Sequence, residues 1–281
     1  MLLDTRSLVD RRIQELREKT DAMERRPKLV ILRVGDDFAS EKYVKNKIKK
    51  CVLAGIESEV IHFPKDVAQS TVEHQIKTLN DNYWVDAVLL QLPLPKHLDE
   101  DYLTNLITPE KDVDGFCASN IGKLMLGQET NVACTPAGII EILKSSDIQI
   151  EGKDVVIINR SNIVGKPLAM LFLQENATVT ICHSKTKNLH EKVWNADIVV
   201  TAVGKPNFFV SEDFKPYSTI IDVAINFDEE GKMCGDVCKD GYNKLISKKC
   251  DITPVPNGVG QTTVLALLEQ TVKIKEKRDG N

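Results

Sequence analysis

No apolar run in this chain reaches the length of a bilayer-spanning helix, so no membrane partner is expected. There is no basic surplus either: the net charge is −4, which argues against a nucleic-acid partner. An anionic small molecule stays compatible, provided that cations are placed locally. Paired cysteines are missing as well. The seven cysteines (Cys51, Cys117, Cys134, Cys182, Cys234, Cys238 and Cys250) are odd in number, scattered, and form no Cys-x-x-Cys pair. That pattern predicts free thiols in a reducing compartment, a cytoplasmic location and no metal site. Internal repeats and low-complexity tracts are absent. The opening stretch "MLLDTRSLVDRRIQELREKT" sets Leu3, Leu8, Ile13 and Leu16 among charges, so it reads as a surface helix and not as a signal peptide.

What is present is an alternation of strands and helices. The 281 residues suggest two domains. "KLVILRV" (28–34) reads as a buried strand. "SEKYVKNKIKKCVLAGI" (40–56) reads as a helix, with Ser40 able to cap its start and Gly55 able to end it. A strand (58–63), a helix (72–82) and the strand "DAVLLQLPLP" (86–95) follow, and this order predicts a parallel sheet covered by helices. Residues 108–138 read as a long functional loop. After a helix at 138–146 come four more strand candidates, 154–159, 177–182, 196–203 and 218–225, then a final loop and helix.

The turn after the first of these strands, "NRSNIVG", has one glycine where a dinucleotide fingerprint has three. Phosphate binding is still open to it. Ser161 and Asn162 can cap the next helix, and a helix start offers free N–H groups. The turn also fits an ordinary strand–helix connection. The following strand, "TVTIC", ends in His183-Ser184-Lys185 and lacks the acid that holds the ribose hydroxyls in NAD enzymes. A hydroxyl, an imidazole and a cation suit a ribose phosphate, and Arg160 can fork onto it, so NADP is favoured over NAD. Read alone, "HSKTK" also fits a solvated turn.

Tyr43 and Lys47 stand one helical turn apart on one face. Val44, Ile48 and Val52 are expected to form the neighbouring buried stripe, and Lys45, Lys49 and Lys50 the wet face. Such a pair is common on surface helices. A desolvated lysine at a site edge would, however, be suited to proton transfer. Gln91 sits where an apolar strand runs out beside Pro93 and Pro95. Asp112 and Asp114 alternate in "KDVDGF", so one can face a site while the other fixes the turn at Gly115.

Together, "VGDDFASEKYVKNKIKKCVLAGI", "QLPLPKH", "PEKDVDGFCASNIGKL", "CTPAGIIEIL", "RSNIVGKPLA", "CHSKTKNL", "ADIVVTAVGKP" and "ITPVPNGVGQTT" resemble the bifunctional methylenetetrahydrofolate dehydrogenase/methenyltetrahydrofolate cyclohydrolase enzymes over nearly the whole chain. The resemblance implies an α/β fold of two domains around a cleft. The N-terminal domain (1–137) would be a three-layer α/β unit that binds folate and carries the catalytic residues. Residues 138–263 would form a Rossmann-like domain with a parallel sheet that binds NADP, and the helix 264–281 would pack back on the first domain. By position, Lys47 resembles the family's catalytic lysine, Tyr43 the tyrosine beside the folate ring, Gln91 the glutamine that holds the lysine, and Asp114 the aspartate that binds the pterin. Ser40, Pro256 and Gly258 are implied in substrate binding. Asn159, Arg160, Ser161, His183, Ser184 and Ile225 are implied as cofactor contacts, and a homodimer through the C-terminal domain is expected.

The implied reaction oxidises 5,10-methylenetetrahydrofolate with NADP+ and then hydrolyses the methenyl cation to 10-formyltetrahydrofolate. A neutral Lys47 would suit the role of base better than a charged one beside a cationic ring. Four positions depart from the family's usual pattern: Asn159 and Asn257 stand where glycine is usual, Ala224 also replaces a glycine, and Gln261 replaces a proline. Asparagine tolerates a left-handed backbone, so both asparagines are expected to keep their turns in that way. The competing readings are a monofunctional dehydrogenase, a non-catalytic NADP- or folate-binding homologue, and a short-chain dehydrogenase. In the last, the Tyr-x-x-x-Lys pair follows the nucleotide fold and does not precede it as here.

Overall fold

The computed structural model describes residues 1–280; the side chains of Phe38, Ala39, Ser40 and Lys42 lie outside that description. Two compact units emerge, one of Met1–Val9 with Thr135–Thr263, the other of Asp10–Cys134 with the chain from Val264 onward. In chain order the helices and strands are α1 (Thr5–Asp21), β1 (Lys28–Val34), α2 (Phe38–Leu53), β2 (Glu57–Phe63), α3 (Gln69–Asp81), β3 (Ala87–Leu90), α4 (Glu100–Leu106), α5 (Ala118–Met125) and α6 (Cys134–Ser145). They continue with β4 (Asp154–Ile158), α7 (Gly165–Gln174), β5 (Thr178–Cys182), α8 (Leu189–Asn195), β6 (Ile198–Thr201) and β7 (Thr219–Asp222). The last are β8 (Asn226–Phe227), β9 (Met233–Cys234), α9 (Tyr242–Ser247), β10 (Asp251–Ile252) and α10 (Val259–Asp279).

In the second unit three parallel strands run in the order β2-β1-β3. β1 is apolar at nearly every position because both of its faces are covered, as in other parallel sheets. Val30, Leu32 and Val34 face Val72, Ile76 and Leu79 of α3 and Leu103 of α4. Leu29 and Ile31 alternate to the other face and are equally buried.

The first unit carries a five-stranded sheet in the order β10-β7-β6-β4-β5, with every pairing parallel. Val155 and Ile157 join α6 and α7 residues in one core, and Val156 and Ile158 join Val193, Phe209 and Leu245 in another. From β4 the chain moves one way to β5, then returns past β4 to β6. The order therefore reverses at the carboxyl ends of β4 and β6, the place where open α/β sheets take their ligands.

The stretch 108–138, expected to be loop, contains α5 and the start of α6. α5 has only eight residues, too short for apolar periodicity to stand out in the sequence. No helix among the described residues is long and apolar enough to cross a membrane.

Candidate active site

α2 begins at Phe38, so Ser40 lies inside its first turn and not ahead of it. Its side chain, an expected substrate contact, lies outside the described residues. The helix buries a different stripe from the expected one. Val44, Lys47, Cys51 and Ala54 are buried, whereas Ile48 is half-buried and Val52 is 63% exposed. Lys47, counted as polar, hid the true face, since i, i+3 and i+7 run Val44-Lys47-Cys51. The lysine is thus on the buried face itself, at 5% exposure.

A buried lysine needs a partner. Lys47 Nζ donates to Gln91 Oε1 at 3.0 Å and lies 4.9 Å from the centre of the Tyr43 ring. Gln91 is held at both ends. Its backbone N–H donates to Leu32 O (2.9 Å), extending the β1–β3 ladder, and Nε2 donates to Leu92 O (2.8 Å). Its carbonyl oxygen is thereby fixed toward the lysine. Burial pushes the Lys47 ammonium down from the ordinary lysine range, and the charge of Asp114 opposes this. Burial pushes the Asp114 carboxyl up, opposed by Lys47 and by the thiol of Cys134. Each group therefore compensates the other's lost hydration.

The two aspartates divide the work. Asp112 is buried, and its Oδ2 accepts the Cys117 N–H (2.8 Å) and Asn120 Nδ2 (3.1 Å), which ties down the start of α5. Asp114 is left to interact with Lys47. Gly115 follows with φ +63°, and a Cβ there would sit 2.5 Å from Asn131 O. Only glycine fits, so the backbone beside Asp114 is rigidly placed.

In the first unit, Ile158 and Cys182, the last residues of β4 and β5, are in register, and Arg160 and Ser184 each follow two residues further on. Both are exposed, beside the point where the strand order reverses. His183 is half-buried, and its Nδ1 accepts the Lys185 N–H at 3.1 Å. Ile225, past β7, is 54% exposed. Pro256 is exposed and Gly258 buried; both belong to this unit, after β10.

The turn itself differs from expectation. Asn159 is not among the residues with positive φ, whereas Asn257 is, at +73°. Asn159 acts through its side chain. Oδ1 accepts the Ser161 N–H (2.8 Å), the Ser161 hydroxyl (2.7 Å) and the Gly165 N–H (3.2 Å), while Nδ2 donates to Ala202 O (2.9 Å). One carboxamide thus ties the turn after β4 to the loop after β6. Ser161 Oγ also accepts the Val164 N–H (3.1 Å), so its hydroxyl closes the turn. Neither Ser161 nor Asn162 caps α7: the N-cap is Val164, and Asn162 Oδ1 takes Lys166 Nζ at 2.7 Å. The single glycine is obligatory, because a Cβ on Gly165 would lie 2.1 Å from Asn159 O.

Two organising residues gave no sequence signal. Asp236 accepts from Thr201 Oγ1 (2.8 Å), Val203 N–H (2.6 Å), Lys205 N–H (2.9 Å) and Asn226 Nδ2 (3.0 Å), fastening the loops beyond β6 and β7. Asp222, at the end of β7, accepts the Asp236 and Val237 N–H groups at 3.1 and 2.9 Å, and burial pushes its carboxyl up to about 7. Lone aspartates at no particular spacing carry no motif.

Two family models account for most of the chain. The tetrahydrofolate dehydrogenase/cyclohydrolase catalytic domain matches residues 3–114, and the NAD(P)-binding domain of the same family matches residues 133–279. The chain belongs to the tetrahydrofolate dehydrogenase/cyclohydrolase family. The bifunctional protein FolD of Bacillus cytotoxicus is 48% identical over 254 residues, 90% of this chain and 87% of that protein. The crystal structure of the bifunctional enzyme FolD of Campylobacter jejuni superposes with a TM-score of 0.93 at 42% identity, covering 99% of each chain. That of the Trypanosoma brucei methylenetetrahydrofolate dehydrogenase-cyclohydrolase, complexed with NADP and an inhibitor, gives 0.93 at 33% identity over 100% and 99% of the two chains. In this family member, Tyr43, Lys47, Gln91 and Asp114 fall in the stretch matched by the catalytic domain, and Asn159 to Ser184 in the NAD(P)-binding domain.

Proposed function

We propose that the chain oxidises 5,10-methylenetetrahydrofolate with NADP+ and hydrolyses the resulting 5,10-methenyl cation to 10-formyltetrahydrofolate, with Lys47 as the central catalytic residue. The observation that carries this reading is a lysine at 5% exposure, bonded to Gln91, beside the Tyr43 ring and under the charge of Asp114. Burial favours the neutral amine, which adds no charge beside the cationic ring and can take a proton from the attacking water, becoming an ammonium only as the addition of water neutralises the ring. Gln91 aims the amine. Tyr43 offers an aromatic face to the folate ring, and Asp114 offers its carboxyl to the pterin.

Arg160 and Ser184, each two residues past the paired ends of β4 and β5, supply a cation and a hydroxyl for a ribose phosphate, which supports NADP. When bound, the cofactor supplies the hydride acceptor. His183 and Ser161 shape that edge, and Ile225 lines it. Ser40, Pro256 and Gly258 stay proposed substrate contacts. The product would supply one-carbon units to reactions such as purine biosynthesis. Seven free cysteines favour a reducing, cytoplasmic location. β5 is an edge strand with Ile181 and the nearby Leu173 exposed, which supports a homodimer through this unit.

The test is an absorbance assay for NADPH formation from methylenetetrahydrofolate, run beside hydrolysis of the methenyl substrate. Turnover in both is expected with NADP+. No turnover with either NADP+ or NAD+ would sink the dehydrogenase reading, and oxidation without hydrolysis would leave a monofunctional dehydrogenase.

A further inference from the structure

Gln270 lies on α10 and is only 9% exposed. Its carboxamide is fully engaged. Oε1 accepts the Val132 N–H at 2.7 Å. Nε2 is within bonding distance of Val132 O (2.8 Å), Val113 O (3.0 Å) and Cys134 Sγ (3.3 Å). Val132 is therefore gripped through both its N–H and its C=O, as a neighbouring strand would grip it.

The placement of these partners matters. Val113 immediately precedes Asp114, and the Cys134 thiol donates to Val113 O at 3.6 Å. A donor from Gln270 to Sγ leaves the thiol hydrogen free for an acceptor. Val113 O, at 3.6 Å, is the acceptor at hand. On the other side of Asp114, Gly115 is pressed against Asn131. The aspartate is thus clamped before and behind.

Gln270 is not required to anchor its helix. Val264, Leu265, Leu267, Leu268, Val272 and Ile274 of α10 are all buried and supply the apolar contact. A carboxamide among them carries a desolvation cost that only its bonds offset, and those bonds all go to the segments that carry Asp114 and Cys134.

We propose that Gln270 is a positioning residue of the catalytic unit: by holding Val113, Val132 and Cys134 together, it fixes Asp114 relative to Lys47. The inference rests on the proposed function, and it assigns to the C-terminal helix a part in the folate chemistry.

The experiment compares the parent, Gln270→Leu and Gln270→Glu. The measurements are KM for methylenetetrahydrofolate, KM for NADP+, the rate of methenyl hydrolysis across pH, and melting temperature. In Gln270→Leu, kcat/KM for the folate is expected to fall by about 10- to 100-fold, since small misplacements of reacting groups have effects of that size. The pH limb of hydrolysis should move, while KM for NADP+ stays put. In Gln270→Glu the side chain can donate only when protonated, so a new limb should appear, with hydrolysis recovering as pH falls. A lower melting temperature with folate kinetics and pH profile unchanged would overturn the proposal and leave Gln270 a purely structural residue. Should Gln270→Leu not fold, Gln270→Glu decides: a profile parallel to the parent's is the contrary result. An inactive parent would instead overturn the proposed function.

Discussion

Replacing Gln91 with leucine tests how the site sets the protonation of Lys47. The parent bond, Lys47 Nζ to Gln91 Oε1, is 3.0 Å long, with the lysine buried and the glutamine half-buried. A hydrogen bond to a charged group is worth roughly 1.5–3 kcal/mol. The neutral amine can donate to the same oxygen more weakly, so about half of that value distinguishes the two protonation states. At about 1.4 kcal/mol per pH unit, the loss lowers the Lys47 pKa by roughly one unit further. It adds to the depression that burial already imposes. If neutral Lys47 is the base, hydrolysis of the methenyl substrate falls off in acid as the lysine protonates. In Gln91→Leu that acidic limb should move down by about one pH unit, while the plateau drops because the amine is no longer aimed. The assay is a pH–rate profile of methenyl hydrolysis for both proteins, with folding verified by circular dichroism. An acidic limb that stays in place, or moves up, would refute the reasoning.

Other expectations concern the cofactor edge. Arg160→Ala should weaken NADP+ far more than NAD+, as read from KM for each; equal losses would show that Arg160 does not contact the ribose phosphate. Gly165→Ala places a Cβ 2.1 Å from Asn159 O, a main-chain clash that no rotamer relieves. Overpacking of this kind costs about 1–3 kcal/mol, so the melting temperature should fall and the added stabilisation by NADP+ should shrink. An alanine variant that melts and binds like the parent would show that the turn is looser than its contacts imply. Asn159→Ala should raise KM for NADP+, because the turn and the loop at Ala202 lose their shared carboxamide; an unchanged value would separate that network from cofactor binding.

The strands were readable because a parallel sheet buried on both faces leaves apolar runs such as "KLVILRV" and "DVVII". Tyr43 and Lys47 were readable as a pair through their spacing alone. The buried face of α2 was not, because a lysine in the apolar stripe reads as solvated until its partner Gln91 is seen 44 residues away. Asn159 looked like a tolerated substitute for glycine, but backbone tolerance was the wrong property: its carboxamide replaces missing turn contacts. Gln270 carried no signal, since its partners Val113 and Val132 offer backbone atoms that sequence identity does not mark. β10, two residues long, and α4 and α5 are too short for periodicity to declare.

The most direct measurement of the central claim is methenyl hydrolysis by Lys47→Met, a substitution that keeps the side chain's length and apolar stem while removing the amine. Loss of hydrolysis is predicted, with the circular dichroism spectrum and cooperative melting of the parent retained. Hydrolysis at near the parent rate by this folded variant would contradict the assignment of Lys47 as the base.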